Sequence, residues 1–367
     1  MAFYTRKDSE TKFYQAPQTI ATLQGICPTN RKNEFVITGT NTDASGAVYK
    51  GLITLDNNSV FNKVVYPNST STSAYGPEYL HNKYNSEEDK INIVGSYQTG
   101  AVGLDDPCVG FVYSGLYNDF MNPSNYTTIE PDVPTNFTVV HSVRAGLAVY
   151  IASNQSQGDF AIGKSYIYDL EKKSTITEVI FPNAEITTTY GIWHNANTCV
   201  KDFDHYVIAG GVSQSGLPLD TRIFVVDFYY NKITGDMQFV GWSQINIPGI
   251  TLFTHAQGIS GLSSDEYVLP VANYTLDPLD SNKIVKLSGG KIHVRRVIGV
   301  FILVEYETIL FPQSNFCIVT SAAKDCVVGV CKNMGMDAFS FSAETIENKC
   351  DLNHDECLDN NRDKFEC

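Results

Sequence analysis

Short apolar runs, broken by glycine, proline and polar clusters, recur along the whole chain. They read as short strands with turns between them. Near the middle, Thr254-His-Ala-Gln-Gly-Ile-Ser260 leads to Glu266-Tyr-Val-Leu-Pro-Val-Ala-Asn273 and then to Lys283-Ile-Val-Lys-Leu287. The same succession appears with Gln24-Gly25-Ile26 before Phe35–Gly39 and Tyr49–Leu55. It appears with Tyr75-Gly76 before Ile91–Gly95 and Val109–Tyr113, and with Tyr190-Gly191-Ile192 before Tyr206–Gly210 and Arg222–Asp227. Two weaker copies, Tyr150–Ser153 with Ser165–Leu170 and Ile318–Ser321 with Cys326–Cys331, complete a series of six.

The small residue that closes the second run of each unit measures the repeat. Gly39, Gly95, Ala152, Gly210, Ala272 and Ser321 stand 56, 57, 58, 62 and 49 positions apart. A repeat near 56 residues with about four short strands per unit predicts an all-β β-propeller. A sandwich shows turn signals without such long-range self-similarity. Six blades are expected, or five if the sixth unit is not a blade.

Prolines punctuate the units. Pro67, Pro182 and Pro248 follow the fourth run of three of them, where a residue without a donor suits the end of an edge strand. Thr11–Pro17 carries the same mark with no repeat before it. We read residues 11–17 as the outer strand of the last blade, closing the ring and removing its open edge. Asp337–Ala343 competes for that role. The glycine after Gln24, Tyr75 and Tyr190 predicts a bulge or a crowded position near the ring axis. Unit three lacks the pair and has Val139-Val-His-Ser-Val143 instead. The propeller is placed at residues 1–346, with repeats over 18–343. Residues 347–367 form an acidic, Cys-bearing tail too poor in apolar residues for a core of its own.

Bulk properties narrow the functional classes. Aromatics make up 12% of the 367 residues, charges 18%, and the formal net charge is −14. Phosphate binding needs clustered Lys and Arg, so nucleic acid and anionic membranes are not expected partners. The longest apolar run, Val297–Val304, is far short of the ~20 residues of a membrane-spanning helix. No secretory signal is visible at the start.

Nine cysteines divide in two. Cys27, Cys108 and Cys199 are scattered and read as buried thiols. Cys317, Cys326, Cys331, Cys350, Cys357 and Cys367 fall in the last 51 residues and are candidate disulfide partners. Asn57, Asn68, Asn125, Asn136, Asn154 and Asn273 stand in N-x-S/T sequons and are candidate glycosylation sites.

The unit with an Ala-x-Gly-Ile start, an apolar triplet ending in Gly and a Gly-x-Phe-x-Tyr strand resembles the repeat of extracellular propellers of the HAF-repeat type. His255-Ala-Gln-Gly-Ile259, Ile93-Val-Gly-Ser-Tyr97 and Gly110-Phe-Val-Tyr113 carry the resemblance. It implies a propeller at or outside the cell surface and brings no catalytic residues. Asp boxes, Trp-Asp and kelch signatures are absent from the sequence.

In a propeller the first strand of each unit lines the central channel. Gln24, Tyr75, His141, Tyr190, His255 and Glu305 stand near those strands. His141, His255 and Glu305 could converge on a divalent metal and make a lactonase-like hydrolase. Hydrogen-bonded channel filling is the more frequent fate of such residues. Gln24, Tyr75, Tyr190, Trp193 and His194 are candidate ligand contacts. Asp351, Asn353 and Asp355 alternate as calcium ligands do, yet Glu356 stands where a calcium loop has glycine. No cofactor is expected beyond such a metal. The sequence therefore predicts a non-enzymatic surface or extracellular propeller, acting in binding, interaction or assembly. Its partner would be a protein, a glycan or a second copy. The metal-dependent hydrolase is the alternative.

Overall fold

A computed structural model of the chain describes residues 9–80, 89–102, 106–131, 135–154, 163–196, 202–216, 220–250, 253–277, 280–311, 314–333 and 338–347. It is a six-bladed β-propeller. Strand β1 (Ser9–Gln15) comes first and belongs to the last blade. Blade one is β2 (Ile20–Pro28), β3 (Glu34–Asn41), β4 (Gly46–Leu52) and β5 (Asn62–Val64). Blade two is β6 (Ser71–Leu80), β7 (Lys90–Gln98), β8 (Val109–Leu116) and β9 (Tyr126–Ile129). Blade three is β10 (Phe137–Arg144), β11 (Leu147–Ser153), β12 (Lys164–Asp169) and β13 (Ser174–Val179). Blade four is β14 (Ile186–His194), β15 (Asp204–Ser213), β16 (Arg222–Tyr230) and β17 (Met237–Ile245). Blade five has a divided inner strand, β18 (Thr254–Ala256) and β19 (Ser260–Gly261), then β20 (Glu266–Asp277), β21 (Asp280–Val297) and β22 (Val300–Ile309). Blade six is β23 (Ser314–Ala323), β24 (Cys326–Asn333), β25 (Ala338–Glu347) and β1. Blades five and six touch through one parallel pair, Leu287 with Phe316.

Both candidates for the closing role are used. β25 is the third strand of blade six and β1 the fourth, paired antiparallel from Ser9–Glu347 to Gln15–Phe341. Phe13 packs on Phe311 and Phe341, with ring centroids 5.2 and 5.9 Å away. The closure thus rests on apolar burial as well as on the ladder.

Among the described residues each groove between neighbouring blades holds a core cluster, and a small second one (Cys108, Phe137 and Val139) lies between blades two and three. Leu23 and Ile37 meet Ala323 and Val328 between blades six and one. Val207 and Ile223 meet Leu269 and Val294 between blades four and five. The alternation along each strand builds this arrangement, because every blade is buried on both faces. A buried ion cluster also joins blades four and five. His205 Nε2 lies 2.7 Å from Asp227 Oδ1, and Arg296 reaches Asp227 Oδ2 at 3.3 Å and Asp265 Oδ1 at 2.8 Å.

The cysteine expectation holds in part. Cys317 and Cys331 face each other across β23 and β24 and form a disulfide. Cys326 is a buried thiol outside any disulfide, as are Cys27 and Cys108. Its register partner is Ala323, so no second sulfur faces it across the ladder. Cys199, Cys350, Cys357, Cys367 and the tail residues Asp351, Asn353 and Asp355 lie outside the described residues. Among the described residues no helix is long and apolar enough to cross a membrane.

Candidate active site

Every inner strand breaks its ladder near the axis. The breaks fall at Gln24 between Leu23 and Gly25, at Tyr75 before Pro77, at His141 between Val140 and Ser142, and at Tyr190 between Thr189 and Gly191. In blade six the residue is Thr320, between Val319 and Ser321. In blade five the gap between β18 and β19 holds Gln257, whose N–H donates to the Pro270 carbonyl at 2.8 Å. A bulge re-aims one side chain. Here it puts one residue per blade on the axis. These six keep some accessible surface while the residues just before them are buried.

The following residue makes the ring close. A Cβ on Gly76 would come within 2.6 Å of the His141 carbonyl oxygen, and one on Gly25 within 2.5 Å of the Tyr75 oxygen. Units three and six carry serine there and use its hydroxyl. Ser142 Oγ donates to the Ile192 carbonyl at 3.5 Å, and Ile26 N–H donates to Ser321 Oγ at 3.2 Å.

The axial groups form an arc. Tyr75 and His141 have centroids 5.2 Å apart, His141 and Tyr190 4.2 Å, and Tyr190 and His255 4.0 Å. Burial holds the imidazoles of His141 and His255 neutral down to about pH 3; for His255 the neighbouring His141 adds to the effect. Burial pushes the Tyr75 phenol up to about 12, and Ser96 and Gln24 hydrogen-bond it. The ring is therefore uncharged at neutral pH.

His255 sits one step off the axis, between blades four and five. Its Nε2 faces Thr188 Oγ1 at 3.4 Å, and its Nδ1 faces Gln257 Nε2 at 3.1 Å. Tyr190 separates it from His141. Glu305 does not join them. It lies on β22, the outermost strand of blade five, so the set His141, His255 and Glu305 is not assembled. The unit boundary explains the error: the repeat puts Glu305 near an inner strand, whereas β22 pairs with β21 as the fourth strand of blade five. Among the described residues no three His, Cys, Asp or Glu groups stand together as a metal site.

Trp193 and His194 end β14 at the mouth of the channel. The Arg144 guanidinium lies 5.3 Å from the Trp193 ring, and a Cβ on Gly261 would overlap its indole. Trp193 is wedged between blades rather than offered to a ligand. His194 Nε2 lies 3.7 Å from Asp204 Oδ1, and burial is the main cause that lowers its pKa. Of the sequons, Asn57, Asn68, Asn136 and Asn154 are exposed. The Asn125 amide is half-buried and donates to Asp119 Oδ2 at 3.1 Å. Asn273 is 2% exposed, which excludes it as a glycan acceptor in the folded protein.

The titratable residues converge elsewhere, in a half-open pocket of about 140 Å³ between blades five and six. Leu262, Val268, Lys291, His293, Glu305, Glu307, Lys324 and Asp325 line it. Lys291 faces Glu307 across the β21–β22 ladder, and His293 faces Glu305. The two glutamates share one face of β22 but differ in surroundings. Glu307 Oε2 takes the Lys291 ammonium at 3.2 Å, while Oε1 accepts from Thr11 and Thr345, each at 3.1 Å. Glu305 is half-buried and has no hydrogen bond or ion pair among the described residues. The sequence held a signal for this pair, the alternation Glu305-Tyr-Glu307 opposite Lys291-Ile-His293. Reading it required knowing that these two runs pair.

No family model matches the chain, and no curated protein matches it in sequence. Among solved structures it is similar to the α-L-arabinanase of Penicillium chrysogenum complexed with arabinobiose. Identity is 12% and the TM-score 0.44, over 94% of this chain and 99% of that one. It is similar to an α-L-arabinofuranosidase of Fusarium graminearum at 11% identity and TM-score 0.43, over 92% and 97%. A thermostable family-43 glycoside hydrolase gives 9% and 0.43, over 82% and 98%. The expectation of a non-enzymatic binding or assembly module is corrected by these neighbours, which are enzymes. At such identities and scores, no substrate and no catalytic residue passes from them to this chain.

Proposed function

We propose that the protein is a glycoside hydrolase that works through Glu305 and Glu307 in the pocket between blades five and six. The observation that carries this reading is a pair of carboxylates on one strand face, held in unlike surroundings. Glycosidic bonds are cleaved by two carboxyl groups with separate roles, one exchanging a proton with the leaving oxygen and one acting as base or nucleophile. Environments that treat two acids differently assign such roles. Glu307, held in place by Lys291, Thr11 and Thr345, suits the base or nucleophile role. Glu305, unpartnered and opposite His293, suits proton exchange. Residues two apart on a strand are about 7 Å apart, a spacing that leaves room for a water between the carboxyls, as inverting hydrolysis requires.

The buried disulfide supports an oxidising setting for this reading, at the surface or outside the cell. The test is turnover of a panel of aryl glycosides by the wild-type protein and by Glu305→Gln, with thermal unfolding measured alongside. Loss of about 10²–10⁴ in kcat at unchanged stability is expected for a proton-transfer group. Equal turnover in the two proteins would remove Glu305 from the mechanism.

A further inference from the structure

The two ends of the propeller present different surfaces. Neighbouring inner strands run in the same direction. Gly76 meets His141, and one step on the Arg144 guanidinium donates to the Pro77 carbonyl at 2.6 Å; likewise Gly191 meets Gly258 and Trp193 meets Gly261. The turns that join first to second and third to fourth strands therefore gather at one end of the ring. Of the fourteen large apolar side chains exposed among the described residues, ten lie in those turns or at the strand ends beside them. Four third-to-fourth connections each offer one: Val60 in blade one, Met121 in blade two, Ile233 in blade four and Ile298 in blade five, 78–99% exposed. The described turns of the other end offer Val102 and Ile180. Ile298 is also set against its backbone. It has φ 50 and is followed by Gly299 at φ 76, a left-handed pair that asparagine and glycine fill best and a β-branched residue rarely enters. Neither backbone preference nor burial accounts for isoleucine there.

Single apolar residues scattered over a surface are ordinary, whereas a set gathered at one end marks an interaction face. The cations gather there too. Arg31, Lys32, Lys172, Lys173, Lys232 and Lys324 stand in its described turns, where they offset most of eight acidic side chains. The described turns of the opposite end hold five acidic residues and neither Lys nor Arg. Apolar tips on four blades with lysines beside them complement a phospholipid headgroup layer, whose acyl boundary takes the tips and whose phosphates take the cations. The formal net charge of −14 favours a layer without net negative charge. We propose that this end of the propeller docks on a neutral phospholipid surface, with Val60, Met121, Ile233 and Ile298 inserted at headgroup level. Leu262 and Lys324, which also line the pocket between blades five and six, belong to this end. The proposal does not rest on the hydrolytic reading of that pocket.

The experiment uses the full chain and vesicles of phosphatidylcholine alone, with bound protein measured by flotation. Saturable binding is expected. Ile233→Asn and Ile298→Asn are each expected to weaken it by about tenfold, the effect of withholding one isoleucine from an apolar layer. Ile180→Asn, at the other end, should bind as the wild type does. Asparagine suits the left-handed turn at position 298 better than the native residue, so that variant keeps its fold, and urea unfolding checks all three. Absence of saturable binding overturns the proposal. Binding unchanged in Ile298→Asn, or lowered as much in Ile180→Asn, overturns it too. Self-association of the wild type in sedimentation velocity, abolished by Ile298→Asn and without vesicle binding, would make this end an interface between copies and also overturn it. Failure here leaves the Glu305 activity test untouched, and the converse holds.

Discussion

Gly191 in blade four lies against Gly258 in blade five, so closely that a Cβ on Gly191 would stand 2.6 Å from the Gly258 carbonyl carbon. Blade spacing around the axis is set by backbone meeting backbone at this point. Gly191→Ala is expected to destabilise the fold by about 1–3 kcal/mol, the usual range for forced overpacking. Gly100→Ala is the control, because nothing lies within 4 Å of a Cβ there. Urea unfolding compares them. Equal midpoints for the two variants would mean that the ring yields at the axis.

The buried imidazoles link stability to pH. His141 and His255 are held at about 3 in the folded state against 6.5 when free. Below 6.5 the unfolded chain therefore binds protons that the folded one refuses, and stability falls as pH drops from 6.5 towards 3. Each imidazole contributes a slope of up to about 1.4 kcal/mol per pH unit. In His141→Phe this part of the slope should be about halved in denaturation midpoints taken between pH 6.5 and 4.5. An unchanged slope would mean that His141 is protonated in the folded protein.

Arg296 reaches across from the end of β21 to Asp227, which is 2% exposed beside the buried His205. Removing one partner of a buried ion pair leaves the other uncompensated, at a cost of about 3–5 kcal/mol. Arg296→Met should lose that much in urea unfolding, whereas Arg295→Met, at the exposed pair with Glu266, should lose about 1 kcal/mol or less. Similar losses for both would show that the buried cluster is not a specific tie between blades.

The disulfide of Cys317 and Cys331 closes a loop with a sequence separation of 14. Crosslinking a loop of that size stabilises by about 3 kcal/mol through the unfolded chain. The double variant Cys317→Ala, Cys331→Ala should lose about that much and become insensitive to reductant. Two alkylatable thiols at these positions in the denatured, unreduced wild-type protein would show that the bond is not formed in solution.

The repeat was legible because each blade needs the same chemistry at the axis. Gly39, Gly95, Gly210 and Gly329 stand opposite the residue before a bulge, where a Cβ would overlap an inner-strand carbonyl. The residues in that position are 39, 95, 150, 210, 271 and 329, separated by 56, 55, 60, 61 and 58. The repeat marks Ser321, on the inner strand of blade six, where the second strand has Gly329, and this makes the last step short and shifts blade six by one strand. Two features hid the boundary. β21 runs for 18 residues, and blade six takes its fourth strand from the other end of the chain. The same shift put Glu305 at the axis. Ser142 and Ser321 concealed the pattern further, because they replace glycine with a hydroxyl that bonds the next blade. Gln24, Tyr75, His141 and Tyr190 were legible as axial residues, since the glycine or serine after each marks the bulge. Gln257 and Thr320 were not, and neither was the Glu305–Glu307 pocket, which depends on a strand pairing that no local pattern states.

The account stands most directly on Glu305. The first measurement is release of reducing sugar or aryl alcohol from neutral aryl glycosides by wild-type protein and by Glu305→Gln of equal stability. The account predicts turnover by the wild type that falls by about 10²–10⁴ in the variant. No turnover on any glycoside, or turnover that survives the substitution, would contradict it.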